Sequence, residues 1–384
     1  MKQKTLFHTL LALLLASCTT TPKQVDSNIY SINSLVVLDE AVETNLSEIA
    51  TNFKIIKLEA TDESLIGSQP IVYLAGSLLI VSSISTPVRV FDAENGKFKY
   101  DISGYNDRDA KGYSNSPAPM IIDESKNEIF LEKNQGFVVR DYITGEYKRQ
   151  LAPAGFFKYQ FYKIVNDTTF LVALMNYSKT DSSALNLVKQ QDRSIIKEYG
   201  FFDVNDFARM ARSFYCQRMY DYKDTIGYTY YKNDTIWGFD KATLSLNPRF
   251  KLNLGKYLTP KDVNKDVNTT WDAFNNYLAV ANISESNRYL FITFSMSGSY
   301  FLFFDKKTGE SRYIGGKGEE IERFNNDLSG YGQFFPRQIT SDGKRAYSVT
   351  QAYDFIEMVG EEKAAELGVK ESDNPIVMIV DLKE

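Results

Sequence analysis

The chain has 384 residues, a net charge of −5, 43% hydrophobic residues and one histidine, His8. Mild acidity without a basic block excludes nucleic acid as the expected partner. A lone histidine inside an N-terminal leader leaves the mature chain without a Ser-His-Asp triad, a Cys-His dyad or a histidine-based zinc or iron site.

The leader comes first. Lys2 and Lys4 precede an apolar run, Leu6–Ala16, which is too short to span a bilayer. It ends in Leu15-Ala16-Ser17-Cys18, small residues before a cysteine, as in a bacterial lipobox. Residues 1–17 are therefore predicted to be a lipoprotein signal peptide, with Cys18 as the lipid anchor. Its removal takes away His8 and two lysines, leaving 367 residues at a charge of −7. Residues 18–32 read as a polar, lipidated tether. No acidic run follows Cys18, which favours the periplasmic face of the outer membrane. Cys216 then has no intramolecular partner, and its aromatic neighbours suggest a buried, inert thiol.

Residues 33–384 carry a repeated phrase: an apolar β run, an Asp, a short turn and another strand. Val90-Phe91-Asp92 leads to Asn95-Gly96, Val139-Arg140-Asp141 to Thr144-Gly145, and Phe303-Phe304-Asp305 to Thr308-Gly309. Asp192 and Asp240 mark degenerate copies, and Asp381 marks the last. The spacings are 49, 51, 48, 65 and 76 residues. A period near 50, with Gly supplying the positive φ of a hairpin turn, suits propeller blades of four antiparallel strands. In the second unit the strands are predicted at Pro119–Ile122, Glu128–Glu132, Phe137–Asp141 and Tyr147–Leu151. Two insertions lengthen the last intervals: a polar loop, Gly255–Thr270, and a helical stretch, Phe355–Leu367.

The sixth unit lacks an outer strand, and the run Phe53–Leu58 has no unit of its own. The fold predicted is an all-β, six-bladed β-propeller closed by that N-terminal strand, with a short helical insertion near the C-terminus. Closure removes exposed sheet edges. A β-sandwich pair or a β-solenoid is the alternative, but a sandwich is not expected to repeat an Asp-turn phrase six times.

The stretch Asn45–Ile49 followed by Ile55-Ile56-Lys57-Leu58-Glu59-Ala60-Thr61-Asp62-Glu63-Ser64-Leu65-Ile66-Gly67 resembles the opening of the six-bladed β-propeller lipoproteins of Bacteroidetes, in the TolB-like/NHL-like propeller group. Val90-Phe91-Asp92 with Gly96-Lys97-Phe98, and Asp373-Asn374-Pro375, extend the resemblance over most of the mature chain. It implies fold and envelope localisation, and no agreed reaction. The chain departs from it at Gly104–Tyr113. A Gly-rich loop is common there, and only Gly104, Gly112 and Tyr113 survive.

Propeller ligands usually meet the mouth of the central channel, so the loops leading into the inner strands hold the candidate ligand-binding residues. These are Tyr113, Arg212, Tyr215, Arg218, Trp271, Tyr331 and Arg337. Tyr, Trp and Arg combine contact area with directed donors. The competing expectation is that such aromatics only wedge between blades. Asp262, Asn264 and Asp266 match the first three ligand positions of a calcium loop, but Val267 and Ala273 stand where Gly and the bidentate Glu belong. A solvated loop is the better reading. Gly315-Gly316-Lys317-Gly318 lacks the frame of a phosphate loop.

The function expected is a membrane-anchored, non-enzymatic binding module for a protein, peptide or glycan, with no catalytic residue and no cofactor. The alternative is a calcium-dependent propeller hydrolase or lyase of lactonase type, built on carboxylates from several inner strands.

Overall fold

The computed structural model describes residues 29–34, 42–109, 111–114, 120–133, 136–151, 159–174, 185–199, 217–230, 233–258, 277–296, 298–314 and 323–384. They form six blade sheets, each ordered from an inner to an outer strand, and a separate two-stranded sheet of Phe324–Asn325 and Gln333–Phe334. Blade one runs Ile71–Ala75, Leu78–Ser82, Arg89–Asp92 and Phe98–Asp101. Blade two follows with Ile121–Asp123, Glu128–Lys133, Gly136–Asp141 and Tyr147–Leu151, each within two residues of its predicted strand. Blades three, four and five begin with inner strands Tyr159–Asn166, Gln217–Tyr222 and Ala279–Glu285. Inner strands of successive blades from two to six touch one another and so ring a central channel.

Blade six contains Gln338–Ile339, Arg345–Thr350 and Ile376–Leu382, and its outer strand is the N-terminal Ala50–Lys57. Phe53 pairs with Val380 and Ile56 with Val377. The ring is therefore closed by the predicted strand, begun three residues earlier.

The repeated Asp has a physical reason. In blade one, Asp92 accepts the backbone N–H of Glu94 at 2.8 Å and of Asn95 at 3.2 Å, while Gly96 N–H bonds back to the Asp92 carbonyl. Asp141, Asp240 and Asp305 repeat the pattern. Such an Asx-type turn places a left-handed residue directly after the last backbone donor to the Asp, and Gly96 supplies it with φ of 73°. Asp381 has no turn to make because its hairpin partner comes from the other end of the chain. Its carboxylate instead accepts from Asn52 at 3.1 Å.

There is no single core. Six apolar clusters each straddle two adjacent blades, such as Phe130 and Val139 of blade two with Phe170 and Val172 of blade three. Burying each large side chain contributes about 1.5–3 kcal/mol, so the seams between blades hold the ring. Most of the aromatic load is spent there, and Tyr228, Tyr289, Phe291 and Phe304 are fully buried.

The segment predicted as tether ends earlier than expected. Tyr30–Ile32 is a fifth strand on blade four, parallel to Ser245–Leu252. Farther along, Val42 bridges Ile314 of blade five, and Ala50–Lys57 joins blade six. The propeller thus begins before residue 33, because the outer edge of blade four can pair an extended chain.

The helical insertion is two short helices, Ala352–Val359 and Glu361–Glu366, broken at Gly360. It joins the second and third strands of blade six and buries Phe355 and Ala364.

Candidate functional site

Three of the seven predicted binding residues, Arg212, Tyr215 and Trp271, lie outside the described residues, as do Cys18, Cys216 and the candidate calcium loop. The other four divide. Tyr113 is not available to a ligand: it is 2% exposed, and its hydroxyl accepts from Val88 N–H at 3.0 Å and donates to the Ile102 carbonyl at 2.8 Å. It wedges blades one and two together, which is the competing expectation for such aromatics. Gly104 and Gly112 belong to the same device. A side chain at Gly104 would strike the Arg140 guanidinium, which donates to Lys111 O and Gly145 O.

Tyr331 is half-exposed and donates its hydroxyl to Glu366 of the helical insertion at 3.2 Å. That contact, followed by desolvation, pushes the phenol above its ordinary range. Met358 lies over Gly332, and Lys363 donates to the Gly330 carbonyl at 2.6 Å. Tyr331 therefore docks the insertion against the loop that leads into blade six.

Arg218 and Arg337 are brought to one mouth. Arg218 stands near the start of the inner strand of blade four, and its Nε donates to Ala281 O of blade five. Arg337 immediately precedes the inner strand of blade six, and its carbonyl accepts from Asn282 of blade five at 2.9 Å. The inner strand of blade five is thus gripped from both sides. Arg337 is exposed to water yet walled by protein. Loss of hydration, and then the nearby Arg323 guanidinium, pull it below the usual arginine range. Neither Arg337 nor Arg323 has a carboxylate partner among the described residues. Arg323 was missed in the sequence because it precedes a two-residue strand, Phe324–Asn325, that no repeat announces.

The opposite end of the channel carries a cluster that the sequence did not announce. Tyr73 of blade one donates to Glu124 of blade two at 2.9 Å. Burial, the Glu124 carboxylate, Tyr347 and, across the ring, Asp221 all push Tyr73 far above its ordinary range. Asp221 of blade four accepts from Lys163 of blade three at 2.7 Å and from Lys241 at 3.4 Å. Burial alone would raise Asp221, but the two ammonium groups outweigh it and hold it below the usual carboxylate range. Both channel carboxylates are thus already bonded. Among the described residues no three His, Cys, Asp or Glu side chains gather as a metal site would require. The signal for these residues was strand parity, which needs exact strand ends.

The comparisons accord with the fold. A family model, Domain of unknown function (DUF4934), matches residues 29–381. The chain belongs to that family. No curated protein matches it. A crystal structure of a Bacteroides fragilis protein described as exported superposes with a TM-score of 0.70 at 16% identity, covering 93% of this chain and 100% of that one. PorZ, a surface component of the type-IX secretion system of Porphyromonas gingivalis, is similar at a TM-score of 0.39 and 10% identity, over 72% of this chain and 29% of its own. At these identities the likeness is one of fold.

The opening run of the sequence resemblance and its C-terminal Asp373-Asn374-Pro375 motif meet in space. Asn374, buried, donates to the carbonyls of Glu59 and Ser64 and accepts from Ile66 N–H at 2.8 Å. Ser64 Oγ donates to Glu59 O at 2.7 Å. The motif after the closing strand and the Asp373-Asn374-Pro375 motif form one joint that locks blade six to blade one.

Proposed function

We propose that this DUF4934 chain is a lipid-anchored protein of the bacterial envelope, in the TolB-like/NHL-like propeller group, that binds an anionic partner at the propeller mouth without catalysing a reaction. The partner is a protein, peptide or glycan bearing carboxylate, sulfate or phosphate groups. One observation carries the reading: Arg337, next to the inner strand of blade six, lies close enough to the Arg323 guanidinium to feel its charge, and neither has a carboxylate partner among the described residues. Two guanidiniums that repel each other gain when an oxyanion enters between them, and arginine offers forked donors suited to it. Arg218, on the other flank of blade five, extends the same rim. The exported relative supports an envelope setting. The lipobox at Cys18 supports anchoring through acyl chains, facing the periplasm from the outer membrane. No described helix is long and apolar enough to cross a membrane.

The test is an array of acidic and neutral glycans and peptides, probed with the wild-type chain and with an Arg323→Ala/Arg337→Ala double variant. Capture of acidic members that weakens about ten-fold or more in the double variant is the expected result. Binding of neutral members only, or equal binding by both proteins, would overturn the mouth assignment. Palmitate labelling that disappears in Cys18→Ala tests the anchor separately.

A further inference from the structure

At the seam between blades four and five, on the side of the ring away from the mouth, a cavity of 520 Å³ opens to solvent. Its walls carry Tyr222, Lys223, Arg249, Arg288, Lys306 and Lys307. They come from the turn after the inner strand of blade four, the outer strand of that blade, and two turns of blade five. Tyr30 of the N-terminal strand forms part of the rim, its ring stacked on Phe250 at 5.3 Å.

The cations are fixed in place. Glu285, fully buried, accepts from Arg249 at 2.5 Å, Lys306 at 2.8 Å and the Tyr220 hydroxyl at 3.0 Å. The Tyr222 ring lies beneath the Lys306 ammonium at 4.3 Å and the Arg249 guanidinium at 4.5 Å. Arg288 is paired with Asp305 at 2.6 Å. Lys223 and Lys307 have no carboxylate partner among the described residues. Five cations therefore line the cavity, two of them, Lys223 and Lys307, without a carboxylate partner among the described residues, and Glu384 also stands in its lining.

We propose that this seam cavity binds a phosphate-bearing organic molecule. A phosphate monoester carries about −1.5 to −2 charge at neutral pH, which suits two unpaired ammonium groups. The cavity is much larger than a bare phosphate and falls in the range of small-molecule sites, roughly 300–1,000 Å³, so the organic part has room beside the oxyanion. Buried Glu285 orients Arg249 and Lys306 before any ligand arrives, and Lys223 and Lys307 supply the net attraction. The site is independent of the mouth, which lies at the other end of the strands.

The experiment is calorimetric titration of the full chain with glucose 6-phosphate, inorganic phosphate and glucose. It is paired with co-sedimentation on vesicles of phosphatidylglycerol and of phosphatidylcholine. A Lys223→Gln/Lys307→Gln double variant removes the two unpaired ammonium groups and leaves the Glu285 network intact. Binding of glucose 6-phosphate but not glucose, at least about ten-fold weaker in the double variant, is the expected result. Sedimentation with phosphatidylglycerol alone, lost in the double variant, would equally support the site and would place the phosphate on a lipid. Absence of binding in both assays, or binding that the double variant retains, would overturn the proposal. Arg323→Ala/Arg337→Ala should leave this binding unchanged, which separates it from the mouth.

Discussion

Between blades one and two, Tyr113 and the Arg140 guanidinium are held mainly by backbone groups. Tyr113 satisfies one backbone amide and one carbonyl, and Arg140 reaches the carbonyls of Lys111 and Gly145. Between blades four and five, a buried carboxylate, Glu285, gathers two cations and a tyrosine hydroxyl. The first seam closes on itself. The second ends in a cavity with unneutralised charge. Both occupy the same place in the fold, so architecture alone does not say which seam is available to a ligand. That depends on whether the seam closes around its cation, as it does around Arg140, or leaves cations facing a cavity.

Changing Glu285 should break the comparison most severely. Glu285→Ala strands Lys306, 7% exposed, and Arg249, 20% exposed, against a seam that cannot hydrate them. A loss of about 3–5 kcal/mol in urea unfolding is expected, as for removal of one partner of a buried ion pair. Tyr113→Phe tests the closed seam. It leaves a buried amide and carbonyl unsatisfied, and should lose about 1–3 kcal/mol in the same assay. Tyr331→Phe removes only a half-exposed contact to Glu366, and its effect on unfolding should stay within about 0.5 kcal/mol.

The smallest effect per residue belongs to the Asp turns, which blades one, two, four and five share. Backbone N–H donors, from Glu94 in blade one and Thr243 in blade four, hold Asp92 and Asp240 below the usual carboxylate range. Their folded-state values lie below their unfolded values. The stabilisation is therefore complete above the unfolded value, about 3.9, and is lost as pH falls through the folded values. Melting temperature should drop on acidification below about pH 4, and less steeply in Asp92→Asn. An equally steep fall in that variant would show that the turn carboxylate contributes nothing.

The six-fold ring was legible because each blade repeats a local solution. An apolar strand followed by Asp and a turn residue is decided within a few positions of the chain, and Asp92, Asp141 and Asp305 show it. Closure by the segment around Phe53–Leu58 was legible by counting, since one unit lacked a strand and one strand lacked a unit. The helical stretch near the C-terminus was legible from its periodicity, though not its break at Gly360. Tyr113 was misread because a tyrosine in a loop and a tyrosine in a seam look alike in sequence. Only the approach of Val88 and Ile102 distinguishes them.

The sequence by itself determined the period, the blade count and the closing strand, because hydrogen bonding and turn chemistry act over short stretches. Tertiary structure decided which charges meet. Glu285 and Arg249 are 36 residues apart, Tyr73 and Glu124 are 51 apart, and Asn374 and Glu59 are 315 apart. Whether such groups neutralise one another, stay buried or face a cavity depends on blade stacking, and blade stacking is set by side-chain packing across seams that no local pattern records.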